Sequence, residues 1–226
     1  MVRCEWRLAK LAGVSPRRRK RILTLALPII GGMLSQNVLN LVDTAMVGTL
    51  GDSALAGVGL GGFANFLFSA FILGLSAGVQ AMAARRVGEG RWSETAIPLN
   101  GGLLLALVLA VPWSAVLVTF AWEYFPILTS DTAVVEQGVP YLRARLVAMF
   151  AMGMNFAFRG YWNAVDKSIL YMRTLISMHV LNIFLNWVLI FGNLGAPELG
   201  AAGAGVASAI ATIFGTASYF LLGRSY

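Results

Sequence analysis

Charged residues are scarce in this chain and are missing altogether from three long stretches. Only 12% of its 226 residues are Asp, Glu, Lys or Arg, against roughly a quarter in an average soluble domain. No charged residue lies between Asp52 and Arg85, between Glu94 and Glu123, or between Glu198 and Arg224. Each stretch is longer than the about 20 residues that a helix needs to cross a bilayer. This shortage excludes an ordinary soluble domain and indicates an integral membrane protein.

Cysteine and histidine are nearly absent, since each occurs once, as Cys4 and His179. A single cysteine cannot form a disulfide within the chain, and no cluster of Cys, His and carboxylates has the spacing of a zinc site. The sequence also lacks a nucleotide-binding loop and a nucleophile with a partnered base. We therefore expect neither an enzyme nor a resident cofactor. We also expect His179 to be a packed, neutral residue rather than an ion-coupling group.

The apolar stretches predict an all-α integral membrane fold, a bundle of six transmembrane helices. A basic tail over residues 1–21 precedes a lobe over residues 22–223. The predicted spans cover residues 22–47, 54–84, 95–121, 139–164, 169–191 and 199–222. The fourth is the least regular, because Arg143, Arg145 and Arg159 interrupt it. We expect these arginines near the ends of the helix, where long side chains reach the membrane interface.

The distribution of basic residues predicts how the chain is oriented in the membrane. Eight of the seventeen precede the first span, which favours a cytoplasmic tail bound to anionic lipid headgroups over a nucleic-acid-binding arm. Basic residues also follow spans two, four and six, whereas spans one, three and five are followed by acidic residues. We therefore expect a multi-pass protein of the cell's inner (plasma) membrane with both termini in the cytoplasm. Its expected partners include membrane lipid but no nucleic acid.

One carboxylate, Asp43, lies inside the first predicted span. A charged side chain at the centre of a bilayer costs at least ~2.5 kcal/mol, so such a group normally faces a cavity or a partner. Gln36, Asn40 and Asp43 are spaced i, i+4 and i+7, which places them on one face of a helix. That face is expected to point away from lipid.

Polar residues of two other spans are expected at a similar depth. At a rise of ~1.5 Å per residue, Asp43, Asn182 and Asn186 all fall in the outer half of the membrane, and Tyr141 begins the fourth span there. Asparagines alone often only bridge helices, but an aspartate at the same level favours a site for an ion or cation. The candidate ion- or substrate-binding residues are therefore Asp43, Gln36, Asn40, Tyr141, Asn182 and Asn186.

Several motifs resemble those of the multidrug and toxic compound extrusion (MATE) family. They are Pro28 with VDTAMVG at residues 42–48 and ALAGV at 54–58, YLR at 141–143 with RGYWN at 159–163, and LNIFLNWVLIFG at 181–192 with GAPELG at 195–200. The resemblance covers residues 25–222. It implies an antiporter that exports cationic, amphipathic drugs or toxic organic compounds in exchange for Na+ or H+.

The resemblance also implies roles for individual residues. Asp43 matches the carboxylate of the family's N-terminal lobe and would hold the coupling ion, Na+ or H+. Gln36 matches a cavity-lining position, and Tyr141 and Asn182 match hydrogen-bonding neighbours of the carboxylate. Some branches have a second Asp where this chain has Asn186. The asparagine weakens a paired-carboxylate proton site and agrees with the NorM-like branch, which is often described as sodium-coupled.

Family members have twelve helices in two lobes, and this chain resembles the N-terminal six-helix lobe only. A missing C-terminal lobe or a second copy of the chain is therefore an expected partner, beside small cationic organic substrates. Two alternatives stay open. One is a flippase for lipid-linked sugars, which would need a basic cavity to hold phosphates. The other is a membrane fragment that does not transport.

Overall fold

The structure is a computed structural model that describes residues 16–224, in which helices form and no strand does. In chain order the helices are α1 (Pro16–Gly48), α2 (Asp52–Gly88), α3 (Ala96–Thr119), α4 (Ala121–Tyr124), α5 (Thr132–Val147), α6 (Met149–Ala164), α7 (Ser168–Phe191) and α8 (Gly200–Gly223). The predicted all-α membrane fold is confirmed. Most of the predicted basic tail lies outside the described residues, and α1 begins before the predicted first span.

Five helical segments are long and apolar enough to cross a membrane. They are Ile22–Gly48, Asp52–Gly88, Trp92–Thr119, Ser168–Phe191 and Gly200–Gly223. These segments lie over predicted spans one, two, three, five and six. Their outer faces carry many exposed large apolar side chains, such as Leu41 at 71% and Leu104 at 64% exposure, as expected for helices that contact lipid.

The predicted fourth span corresponds to two helices, α5 and α6, separated by the single residue Ala148. The Ala148 N–H donates to the Arg145 carbonyl at 3.1 Å, which makes one tight turn between two nearly continuous helices. The first of them begins at Thr132, seven residues before the predicted start at 139. The prediction began too late because the exposed Glu136 interrupts the apolar pattern there. Arg145 consequently lies in the last turn of α5 but near the middle of the α5–α6 pair, and not at an end of the predicted fourth span.

Glycines bring α5 close to its neighbours α2 and α8. A Cβ atom on Gly57 of α2 would lie 2.8 Å from the backbone nitrogen of Gly138 in α5. A Cβ atom on Gly205 of α8 would lie 2.5 Å from the backbone oxygen of Tyr141. Such distances leave no room for a side chain, so the backbones are in direct contact, as is common where transmembrane helices cross. The crossings hold α5 in the interior of the lobe, between α2 and α8.

Exposed ion pairs occupy the loop between α2 and α3. Arg85 and Arg91 contact Glu89 at 2.8 and 3.2 Å, and Arg91 also pairs with Glu94. Hydrogen bonds from Arg85 and Arg91 hold the pKa of Glu89 below its usual range. Exposed pairs of this kind add little stability. They order the loop whose basic residues helped to predict the orientation of the chain in the membrane.

Candidate functional site

A small polar cavity of about 120 Å³ lies between α1, α5, α7 and α8. Its ionisable and amide lining consists of Gln36, Asn40 and Asp43 from α1, Arg145 from α5, and His179 and Asn182 from α7. Four of the six predicted site residues therefore line one cavity. The remaining two, Tyr141 and Asn186, lie behind this lining and act on it through hydrogen bonds.

Asn186 joins the carboxylate of α1 to α7. Its Nδ2 donates to Asp43 Oδ1 at 2.6 Å, and the asparagine is completely buried. Its Oδ1 atom is also buried and has no hydrogen-bond partner among the described residues. The pair therefore places an unsatisfied amide oxygen beside a carboxylate, and oxygen atoms of these two types are suitable ligands for a hard cation.

Asn182 lies one helical turn before Asn186 on the same face of α7. In one orientation its amide donates to Ser208 Oγ and accepts from Asn186 Nδ2, both at 3.2 Å. In the reversed orientation Nδ2 lies 3.2 Å from Asp43 Oδ1, and the oxygen accepts from the Ser208 N–H at 3.1 Å. Asn182 can therefore present either a donor or an acceptor to Asp43. A donor suits a bare carboxylate, and an acceptor suits a protonated or cation-bound one.

His179 connects the polar face of α1 to α7 near the other end of the cavity. Its Nδ1 lies 2.6 Å from Ser35 Oγ and its Nε2 lies 3.2 Å from Gln36 Oε1. Because the Gln36 oxygen only accepts, Nε2 carries the proton and Nδ1 accepts from the serine hydroxyl. Gln36 Nε2 in turn donates to Asn40 Oδ1 at 3.0 Å. His179 is buried with a partner at each nitrogen, an arrangement that suits a neutral core histidine.

Tyr141 contacts an arginine rather than the carboxylate. Its hydroxyl accepts a hydrogen bond from Arg145 Nη1 at 2.7 Å, and the guanidinium carbon lies 5.6 Å from the centre of its ring. Arg145 lines the same cavity as Asp43 and interacts with it electrostatically. The expected hydrogen-bonding partnership of Tyr141 with Asp43 is therefore indirect in this structure.

Arg145 is the charged cavity residue that sequence reasoning missed. Its charge suggested a helix end, whereas α5 continues into α6 and carries it into the interior. The spacing Tyr141 to Arg145, i and i+4 on one helical face, was the signal that pointed to a buried partner for the guanidinium.

The polar face of α1 is only partly covered. Gln36 and Asn40 are exposed and Asp43 is half-buried. Amide side chains are costly next to hydrocarbon, so this face is suited to a water-filled cavity or to another protein surface.

Comparison with known proteins gives one family and partial coverage of its members. A family model named MatE matches residues 28–188. The chain is 28% identical over 194 residues to the multidrug resistance protein NorM of Photobacterium profundum, covering 86% of this chain and 42% of that protein. It is 30% identical over 192 residues to the probable multidrug resistance protein NorM of Neisseria meningitidis serogroup B, covering 83% and 41%. The chain thus spans less than half the length of the curated relatives it matches.

Solved structures with the same helix arrangement are also known. An outward-facing multidrug resistance MATE family transporter of the MOP superfamily is similar with a TM-score of 0.83 at 25% identity, covering 91% of this chain and 45% of that one. A MATE protein in complex with MaD5 is similar with a TM-score of 0.81 at 26% identity, covering 92% and 47%. Here too the similarity extends over about half of the larger protein.

Proposed function

The chain belongs to the MatE family of multidrug efflux transporters, as its resemblance predicted, and on this premise we propose that it forms one lobe of a cation-coupled antiporter. The transporter would export cationic, amphipathic organic compounds in exchange for Na+ or H+ by alternating access. The observation that carries the proposal is a carboxylate, Asp43, on a polar cavity formed by membrane-spanning helices. The lobe would transport rather than catalyse.

The size of the cavity supports an ion as its occupant. A volume of about 120 Å³ corresponds to roughly four water molecules at about 30 Å³ each, whereas pockets for drug-sized ligands measure about 300–1,000 Å³. The cavity therefore suits a proton or a small, partly hydrated cation. The larger organic compound would bind on the open side of α1.

The chemistry of the site is compatible with Na+ without requiring it. Asp43 would supply carboxylate oxygen, and Asn182 in its accepting orientation would supply an amide oxygen. The buried Asn186 Oδ1, which has no partner among residues 16–224, is a further acceptor behind the cavity lining. H+ remains the alternative coupling ion, and it would be held by the same carboxylate.

The exposed polar face of α1 supports a second lobe as a partner. Only 11% of the residues in the apolar 18-residue stretch of α1 are buried. Gln36 and Asn40 are exposed beside the cavity. A C-terminal lobe, or a second copy of this chain, would cover that face and complete an aqueous pathway. The proposed location is the inner (plasma) membrane, with both termini in the cytoplasm.

A flippase for lipid-linked sugars is the second candidate, and Arg145 is the observation that favours it. A guanidinium in the cavity would attract phosphate, but the carboxylate of Asp43 on the same cavity balances its charge. A cavity with one charge of each sign is not the basic one that such substrates require.

Ion-driven dye transport tests the proposal. The protein is reconstituted in liposomes, alone and after co-expression with the C-terminal lobe of a NorM relative, and ethidium uptake is followed under outward Na+ or H+ gradients. We expect uptake that Asp43→Asn abolishes and that the control Asp52→Asn, at an exposed carboxylate, leaves unchanged. Uptake unaffected by Asp43→Asn contradicts the role of this residue. Absence of ion-driven uptake in both preparations favours a fragment that does not transport.

A further inference from the structure

Arg145 is a second charge on the cavity, and the proposed function does not use it. Its guanidinium group carries five N–H donors. Of these, one donates to the Tyr141 hydroxyl at 2.7 Å, and the group lies over the Tyr141 ring. Arg145 also reaches a smaller adjoining pocket that Asn65, Ser208 and Thr212 help to line. No other hydrogen bond of the guanidinium occurs among the described residues, and Arg145 lines both the cavity that it shares with Asp43 and this smaller pocket.

Arg145 and Asp43 share the cavity without being ion-paired in this structure. They interact electrostatically, but no ion pair within 4 Å joins the two groups in the described part of the chain. The guanidinium is on a long, flexible side chain, and both groups line the same cavity. Its bond to Tyr141 is therefore one of two arrangements open to it, the other being a direct pair with Asp43.

A direct pair between Arg145 and Asp43 would lower the cost of leaving the Asp43 carboxylate without a counter-ion. A carboxylate in a membrane interior is strongly destabilised when it has no counter-ion. An antiporter must nevertheless release its ion from the carboxylate in every cycle. A guanidinium from the same lobe would replace the departing cation without any new charge entering the membrane.

We propose that Arg145 is an internal counter-cation that competes with the coupling ion for Asp43, and that the Tyr141 hydroxyl is the positioning group that holds Arg145 aside while the ion is bound. The inference rests on the proposed function, because it takes Asp43 as the ion-binding group. It assigns opposite effects to two neighbouring residues. Removing the arginine strengthens ion binding, whereas removing the tyrosine hydroxyl weakens it.

Equilibrium ion binding to the purified chain in lipid nanodiscs tests this pair of effects. The affinity for ²²Na+ is measured directly, and the proton affinity of Asp43 is measured from the infrared carbonyl band that Asp43→Asn removes. We expect Arg145→Gln to raise ion affinity about tenfold, the effect of deleting one unit charge across a partly hydrated cavity. Arg145→Lys should stay near the wild-type value. Arg143→Gln, at an exposed arginine of the same helix, is the matched control and should change nothing.

Tyr141→Phe is the second variant in this ion-binding experiment, and it tests the role of the tyrosine hydroxyl. It keeps the aromatic ring but removes the oxygen that accepts from Arg145, so the guanidinium should move to Asp43 and ion affinity should fall severalfold. In the Arg145→Gln background the same change should have no further effect. A variant that merely disturbs folding would lose affinity in both backgrounds and would lower the unfolding temperature, which is measured in parallel.

The outcomes separate this inference from the proposed function. Unchanged or weaker ion binding in Arg145→Gln overturns the counter-cation. So does an equal loss from Tyr141→Phe with and without Arg145. If Asp43→Asn leaves the ion affinity intact, the proposed ion site itself is wrong. If Asp43→Asn abolishes binding while Arg145→Gln has no effect, only the inference about Arg145 fails.

Discussion

The two sides of the lobe satisfy their buried polar groups in different ways. On the side of α2, α3 and α6, the core is apolar, with Ile72, Ala110 and Met149 almost completely buried. Its buried Ser114 hydroxyl donates to a backbone carbonyl, that of Leu146, at 2.6 Å. Around the cavity, on the side of α1, α7 and α8, polar side chains bond to one another across helices, as Asn186 does to Asp43 at 2.6 Å.

This difference separates a rigid side from one that can rearrange. A backbone carbonyl in a helix cannot leave its position, so a hydroxyl bonded to it remains in place. Bonds between side chains can be exchanged for bonds to an ion when one enters, because both partners rotate. The α1–α7–α8 side is therefore suited to binding and release, and the α2–α3–α6 side to holding the lobe together. Four substitutions test this comparison, and they follow from the largest expected effect to the smallest.

Gly138→Leu should prevent folding. A Cβ atom at Gly138 would already lie 2.9 Å from the Gly57 oxygen, so a leucine would force α2 and α5 apart. Overpacking of this kind typically costs about 1–3 kcal/mol, and more where backbones are in contact. The measurement is the monodisperse fraction in fluorescence-detected size-exclusion chromatography. Gly74→Leu is the control, since nothing lies within 4 Å of a Cβ atom there. Equal yields of the two variants would contradict the close crossing.

Asn186→Leu should destabilise the lobe by about 2 kcal/mol, because a hydrogen bond to a carboxylate is lost and Asp43 remains without its donor. Ion binding should weaken with it. Unfolding in mixed micelles measures the stability, and ²²Na+ binding measures the site. Asn193→Leu, at an asparagine beyond α7 whose Nδ2 donates only to a backbone carbonyl, should leave ion binding intact. If Asn186→Leu also leaves it intact, Asn186 has no role in the site.

Ser114→Ala should cost about 1 kcal/mol, since one neutral hydrogen bond to the Leu146 carbonyl disappears from the apolar side. Ion binding should be unaffected, because the change lies outside the cavity. The same unfolding assay gives the stability. A loss of ion affinity in this variant would mean that the two sides of the lobe are coupled.

His179→Gln should change ethidium uptake by no more than about twofold at any pH, because a packed neutral histidine carries no coupling charge and glutamine can still donate and accept. Uptake is compared between pH 6 and pH 8 in proteoliposomes. A pH dependence that disappears with the histidine would show that His179 takes part in coupling, against the expectation from its isolation in the sequence.

Helix faces were predictable from the sequence, and the packing between them was not. The spacing of Gln36, Asn40 and Asp43 predicted one polar stripe, and the structure places all three on a single cavity. Arg145 and the partner of Tyr141 were missed. A hydropathy pattern places an arginine at the end of a membrane span. The position of α5 is instead set by glycines at its crossings with α2 and α8, and in this position Arg145 faces the interior of the lobe.

The sequence by itself determined that the chain is a membrane-spanning helical lobe and that Asp43 belongs to a polar helix face, because a bilayer imposes length and apolarity on every span and helical periodicity is local. Only the tertiary structure decided which groups meet that carboxylate. Asn186 contacts it from α7, and Arg145 shares its cavity from α5, because rotation and depth are set by contacts between helices far apart in sequence. Those contacts place a hydrogen-bond donor and a second charge around one half-buried carboxylate.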